Sequence, residues 1–414
     1  MTRKAVHATQ AAMQGLNSTE RAAVDHVAAA PIADHVAAWV AVNSGTRNLK
    51  GVARMGEMLA DAFSALPGGA VLVAPEPVEQ VDGEGRVQRL DHGRHLLVTV
   101  RPQAPVQMLF TGHMDTVFPV DHRFQKLTVL PDGRWNGPGA ADMKGGLAVL
   151  LAALKAIEAG PAAARLGYQV LINSDEETGS LASADRIAQT ARGKVAALTY
   201  EPALADGTLA GARGGTGNFA LVVSGRSAHA GRNPEEGRNA VVAAADLALR
   251  LARAGRAGLA VNPARIEGGG PNNVVPDHAI LRVNFRPSDA AAIADAQAAL
   301  DEAVAAVAPA HDVRIAVHGG FNRPPKPIDP ASQKLFGLVK AAGADLGIPV
   351  AWRSTGGVCD GNNIAAAGVP VVDTMGVRGG AIHSADEFMI PESLAERAAL
   401  SAVTILRIAE RGRP

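Results

Sequence analysis

Two short stretches of this chain crowd imidazole and carboxylate groups together. "TGHMDTVFP" (residues 111–119) sets His113 two positions before Asp115, and "NSDEETGS" (173–180) sets Asp175, Glu176 and Glu177 side by side. Each follows an apolar run, "VQMLF" or "YQVLI", of the kind that forms a buried strand. Charged groups gathered past strand ends add nothing to a core. They form either a solvated rim or the surround of something positive. Three more such groups stand in comparable places: Asp142 at a helix start in "GPGAADMKGG", Glu201 in "YEPA", and His383 in "GGAIHSADEF". Ligands of open α/β sheets bind beyond the carboxyl ends of the strands, so His113, Asp142, Glu177, Glu201 and His383 can converge there.

Two histidines with three carboxylates and no thiolate make a borderline-hard donor set suited to zinc, cobalt or manganese, and five ligands exceed what one tetrahedral catalytic zinc takes. One carboxylate bridging two ions would leave each metal three protein ligands and a shared place for water. Such a centre makes hydroxide available at neutral pH and polarises a carbonyl. Each piece also has a plainer reading. The acids of "SDEET" suit a helix N-terminus, Asp142 suits a helix cap, Glu201–Pro202 suits a turn, and His383 suits a Gly-rich surface loop. Those readings fail jointly, because all five groups fall at matching positions of one sheet.

The elements that would position them alternate strand and helix. A helical pattern from about His26 to Leu66, broken at "NSGTRN", precedes the short β-type runs "AVLVAP", "HLLVTV" and "VQMLF". "LAVLLAALKAIEAG" is helical and stops at Gly160–Pro161. "YQVLI" and "VAALTY" are strands around a helical "SLASADRIAQTAR", which together predict a layered α/β sheet. Residues 213–322 then read β-α-β-β-α-β, the order of a ferredoxin-like α+β domain. α/β alternation resumes past the Pro-rich "FNRPPKP". The expected division is a catalytic domain in two parts, 1–212 and 323–414, interrupted by an inserted domain, 213–322.

The chain has 414 residues, and 47% apolar content allows a sizeable core. Lys plus Arg balances Asp plus Glu at 40 each and aromatics are 3%, which argues against nucleic acid or an anionic membrane as partner. The single cysteine, Cys359, excludes an internal disulfide framework and a Cys-based zinc site. The first thirty or so residues lack the apolar core of a secretory signal, and no apolar span is long enough for a bilayer. These features lead us to expect a cytoplasmic protein.

In family order, "GHMDTVFP", "GPGAADMKGG", "NSDEETGS", "YEPA" and "IHSADEF" resemble the dinuclear zinc aminoacylases and carboxypeptidases. That group includes glutamate carboxypeptidase, acetylornithine deacetylase and succinyl-diaminopimelate desuccinylase, and the resemblance runs from about Ala38 to the end. It implies a mixed-sheet zinc-peptidase domain with an inserted dimerisation (lid) domain, and two divalent ions per chain, zinc first, with cobalt or manganese as alternatives. It implies Asp142 as the bridge, His113 and Glu201 completing one site, Glu177 and His383 the other, and Glu176 as general base. Asp115 would hold His113 in one tautomer, and a cis peptide would follow Asp142. In the insertion, "SGRSAHAGRNPEEGRNAV" resembles the segment whose histidine, here His229, reaches the partner subunit's active site. "NNVVPDHAILRVNFRP" resembles the segment that gives substrate-carboxylate ligands, here Asn273 and Arg286, and "FNRPP" offers Arg323 as another. "TGGVCDGNN" departs from the family's Gly-Gly-Gly-Thr-Asp pattern beside the substrate pocket.

The resemblance implies a homodimeric amidohydrolase, nearest the glutamate carboxypeptidase branch, that cleaves N-acyl amino acids or small peptides bearing a free carboxylate. A deacylase of acetylornithine or succinyl-diaminopimelate type is the second reading and a carbamoyl hydrolase the third. A non-catalytic relative kept as a binding scaffold would have lost Glu176 or a ligand, and none is missing. A mononuclear deacylase would differ in metal stoichiometry.

Overall fold

The computed structural model describes residues 15–414. Residues 1–14, read above as part of the first catalytic segment and of the stretch without a signal core, lie outside the described residues.

A six-stranded mixed sheet carries the site, in the order Gly69–Val73, His95–Val100, Leu166–Asn173, Val106–His113, Ala196–Thr199, Val371–Val372. The first two neighbour pairs are antiparallel and the remaining three parallel. The parallel strands are apolar on both faces because both faces are covered. Met108 and Phe110 join the larger core, against the Gly146–Glu158 and Ser393–Arg411 helices. Leu109 points the other way, with Leu171 and Ala197, into a smaller core closed by Ile187 and Ile364. The Ser393–Arg411 helix is buried along most of its length because it packs on four other helices, Ser18–Ala28, Ile32–Val40, Gly146–Glu158 and Pro330–Asp345. Among the described residues no helix is long and apolar enough to cross a membrane.

Between Thr216 and Arg323 the chain builds a second, antiparallel sheet. Its order is Leu259–Gly268, His278–Pro287, Thr216–Ser224, Arg314–Arg323. The Ala240–Arg253 and Ala290–His311 helices cover one face, where Leu221, Val223, Leu281 and Phe285 are buried. This is the β-α-β-β-α-β arrangement expected of the insertion. The opposite face is partly covered by a hairpin from earlier in the chain, Val78–Val81 with Val87–Leu90. Val81 packs against Ala220, Val222 and Ile280, and Arg282 Nη2 donates to the Val81 carbonyl at 3.1 Å. The sequence pattern did not point to this hairpin, since most of its residues are polar.

Candidate metal centre

The parallel strands end at one edge of the sheet, and three of the four deliver a ligand candidate there. His113 is the last residue of its strand. Glu176 and Glu177 open a single 3-10 turn, Glu176–Thr178, just past Leu166–Asn173, and Glu201 follows Ala196–Thr199 by two residues. Asp142 lies in the turn Ala140–Gly145 that leads into the Gly146–Glu158 helix, and its peptide to Met143 is cis. That helix comes very close to the strand end carrying Glu201. A Cβ on Gly146 would stand 2.0 Å from the Tyr200 carbonyl oxygen, which is why "KGG" follows the aspartate. His383 sits in a left-handed conformation, φ +63°, between the short strands Arg378–Gly380 and Phe388–Met389.

All five groups meet. Two triads form around one carboxylate, His113–Asp142–Glu201 and Asp142–Glu177–His383, each with its ligand atoms within 4.8 Å of one another. Asp142 turns one oxygen to each: Oδ1 is 3.0 Å from His113 Nε2 and Oδ2 is 3.3 Å from His383 Nε2. Glu201 Oε2 lies 3.7 Å from His113 Nε2, and Glu177 Oε2 lies 3.2 Å from His383 Nε2. His113, Asp142 and Glu201 are buried, Glu177 is partly buried and His383 is exposed.

Electrostatics makes this a cation site. Burial, and then the negative charge of Asp142, push Glu177 up to about 8, and burial together with Asp142 does the same to Glu201, to about 8. His383 is pushed up to about 10 by its hydrogen bonds to Asp142 and Glu177. Burial works against charging His113, yet Glu201, Asp115 and Asp142 raise it well above its ordinary value. Burial alone would raise Asp142, but the two imidazoles hold it below the usual carboxylate range. Glu177, Glu201 and the two imidazoles thus hold on to protons that a cation would displace. The donor set, two imidazoles and three carboxylates sharing one bridge, fits two divalent ions.

Neighbouring groups fix these ligands. The Asp115 carboxylate accepts from Thr46 Oγ1 at 2.6 Å and from the backbone N–H groups of Glu176 and Glu177 at 3.2 and 3.3 Å. Its carboxylate is 3.4 Å from His113 Nδ1, farther than its own backbone carbonyl at 3.0 Å. The Asp115 side chain therefore ties the Glu176–Glu177 turn to the sheet, and its carbonyl orients the imidazole. Asp175 accepts from the Ala182 N–H and the Ser183 hydroxyl at 2.6 and 2.7 Å, stapling the same loop.

Glu387 does comparable work, and sequence reasoning missed it. Its buried carboxylate accepts the backbone N–H groups of Gly139, Ala141 and Asp142 at 3.2, 2.9 and 3.0 Å. It thereby joins the loop of His383 to the turn of Asp142. Its only sequence signal was its place four residues after His383.

Arg323 is buried against the candidate base. Its Nη2 lies 2.7 Å from Glu176 Oε1 and donates at 2.8 Å to both the Glu176 carbonyl and Ser180 Oγ. Asp360 stands 3.6 Å away. Burial raises the Glu176 pKa, and the Arg323 charge opposes that rise.

The remaining expected residues do not join the cluster within one chain. His229 is exposed, and its two-residue strand pairs with Val274–Val275, next to Asn273. Arg286, also exposed, lies at the other end of the His278–Pro287 strand; eight residues from His278 span about 26 Å. Arg286 occupies the catalytic end, since Asn284 beside it donates to Thr216 Oγ1 and Thr216 pairs with Arg323. One chain therefore cannot bring its own Asn273 and Arg286 to a single small carboxylate.

The family model described as peptidase family M20/M25/M40 matches residues 109–407. Carboxypeptidase G2 of Pseudomonas sp. strain RS-16 is 30% identical over 354 residues, covering 83% of this chain and 81% of that protein. Succinyl-diaminopimelate desuccinylase of Verminephrobacter eiseniae is 27% identical over 303 residues, 68% of this chain and 74% of that protein. Among solved structures, a tripeptidase of Staphylococcus aureus superposes with a TM-score of 0.70 at 23% identity, covering 92% of this chain and 98% of that one.

Proposed function

Because the chain belongs to peptidase family M20/M25/M40, a family of metal-dependent hydrolases, we propose that it cleaves the amide bond of N-acyl amino acids or small peptides with a free carboxylate beside that bond. The observation that carries this reading is Asp142, whose two oxygens face two separate ligand sets. His113 and Glu201 would hold one divalent ion, Glu177 and His383 the other, with Asp142 shared and zinc the first choice for both. Ions held there supply Lewis acidity toward a carbonyl oxygen and lower the pKa of water. Glu176 takes the proton of the attacking water and returns it to the leaving nitrogen. Arg323 keeps the Glu176 carboxylate aimed while it does so.

The reading includes a lid, residues 213–322, set between catalytic parts 1–212 and 323–414, and a cytoplasmic homodimer built through that lid. Two features support the dimer. The Leu259–Gly268 strand is a sheet edge with Ile266 exposed, and Val242 and Leu249 are exposed seven residues apart on one helix face. The separation of Asn273 from Arg286 supports sharing across it. Arg286 then binds the substrate carboxylate from one subunit while Asn273, and His229 on the nascent oxyanion, act from the other.

The test is a panel of N-acyl amino acids and dipeptides on the zinc-reconstituted protein, each paired with its carboxamide. Turnover should need the free carboxylate, with a loss of roughly 10–100-fold in kcat/KM on amidation, the worth of charge-assisted hydrogen bonds. Equal hydrolysis of both members would remove Asn273 and Arg286 from substrate binding. A succinyl-diaminopimelate type deacylase is the second reading, favoured by the desuccinylase relative; the acyl groups in the panel separate the two.

A further inference from the structure

The candidate metal centre opens on a cavity of about 660 Å³ that Asp142, Glu176, Glu201 and His383 all line. Two arginines line it as well, and they differ in kind. Arg213 is committed: Nε and Nη2 bind both oxygens of buried Asp373 at 2.8 and 3.1 Å, and Nη1 donates to the Gly357 carbonyl at 3.0 Å. Arg353 is exposed and makes neither an ion pair nor a side-chain hydrogen bond among the described residues. The carboxylate that feels its charge, Asp206, is exposed and bonded to Thr208.

Arg353 is not on a loose loop. It belongs to the Trp352–Thr355 strand, which pairs in parallel with Leu209–Arg213 and sets Arg353 beside Ala210. Leu204, Leu209 and Ile382 give the same cavity apolar wall, and Thr208, Ser354 and Thr355 give it hydroxyls. A guanidinium offers five donors in a planar fork that matches a carboxylate in two-point contact. A strand-mounted arginine with free donors, in the cavity of the hydrolytic centre and next to apolar wall, suits a ligand with an aliphatic segment ending in an anion.

We propose that Arg353 is a specificity-determining residue that binds a second carboxylate, at the far end of the substrate's acyl group. The inference rests on the amide-hydrolase reading, in which Arg286 and Asn273 take the carboxylate on the amino-acid side. Arg353, on the catalytic domain, is then left for the acyl side, and the preferred acyl groups are short ω-carboxyalkanoyl chains.

The experiment compares two substrates of the zinc-loaded full-length protein, an N-glutaryl amino acid and its analogue with the distal carboxylate converted to carboxamide. Wild type should prefer the carboxylate by about 10–100-fold in kcat/KM, Arg353→Gln should bring the two substrates to parity, and Arg353→Lys should restore part of the preference. A wild type without preference, or an unchanged preference in Arg353→Gln, overturns the proposal. A second arm needs no turnover: calorimetric titration with free glutarate and with its monoamide. Arg353→Gln should weaken glutarate by about 10-fold or more and remove its advantage over the monoamide. Should no amide be hydrolysed, the reading of the reaction fails and this arm still decides Arg353, an equal glutarate affinity in wild type and variant overturning it.

Discussion

Arg323 is where the family resemblance and the geometry point in different directions. The resemblance makes it a ligand for the substrate carboxylate. In the structure it is buried, and one guanidinium nitrogen bonds the Glu176 carboxylate, the Glu176 carbonyl and Ser180. Arg323→Met keeps the bulk and deletes the charge, leaving the Glu176 and Asp360 carboxylates buried without their cation. Removing one partner of a buried pair costs about 3–5 kcal/mol. The denaturation midpoint of the variant should therefore fall with an unchanged slope. In steady-state assays on zinc-loaded protein, kcat should drop while KM stays near wild type, because the lost contact aims the base. The upper bound is deletion of the base itself: Glu176→Gln should keep both metals and lose about 10²–10⁴-fold in kcat. Two residues that act through one carboxylate cannot add their effects, so Arg323→Met/Glu176→Gln should be little worse in kcat than Glu176→Gln alone. A variant with wild-type stability and kcat, a raised KM, and full additivity with Glu176→Gln would refute this reasoning and restore Arg323 to the substrate.

Glu387→Gln keeps the shape but replaces an anion that accepts three N–H groups around Asp142; metal affinity should fall about 10–100-fold while the circular dichroism spectrum is unchanged, and unchanged metal affinity would make Glu387 a bystander. The metal-stripped protein should lose stability as pH rises. Glu177 and Glu201 go from an ordinary 4.5 to about 8 on folding and His383 from 6.5 to about 10, so the folded state binds the extra protons. Their stabilisation is present at low pH and lost between roughly pH 5 and pH 10, and melting with and without zinc across that range should show the slope in the stripped protein alone. Mixing Glu176→Gln with His229→Ala should restore activity, since each heterodimer would hold one intact site. Random exchange makes about half the dimers mixed, so recovery near a quarter of wild type is expected, and no recovery after demonstrated exchange would place His229 outside the partner's site.

The convergence of the candidate metal ligands was legible because strand ends are legible. Apolar runs such as "VQMLF" stop where the sheet stops, and the polar residues just beyond them share one edge whatever the intervening loops do. The strands and helices between Thr216 and Arg323 were equally readable from their periodicities. What escaped depends on contacts between segments far apart in the chain. Glu387 spends its carboxylate on backbone N–H groups around Asp142, and nothing local to "IHSADEF" announces that. The Val78–Val81 hairpin packs Val81 on the four-stranded antiparallel sheet, and most of its residues look like a polar loop. Asn273 and Arg286 lie on one sequence segment, yet the intervening strand sends them to opposite ends of a sheet. Sequence spacing carries no information about which end meets the site.

The central claim is that Asp142 bridges two ions. Elemental analysis of protein stripped, reloaded with zinc and freed of excess tests it most directly. The account predicts saturation at two ions per chain in the wild type and loss of both in Asp142→Ala. Saturation near one ion per chain, or an Asp142→Ala protein that still holds one ion tightly, would contradict it.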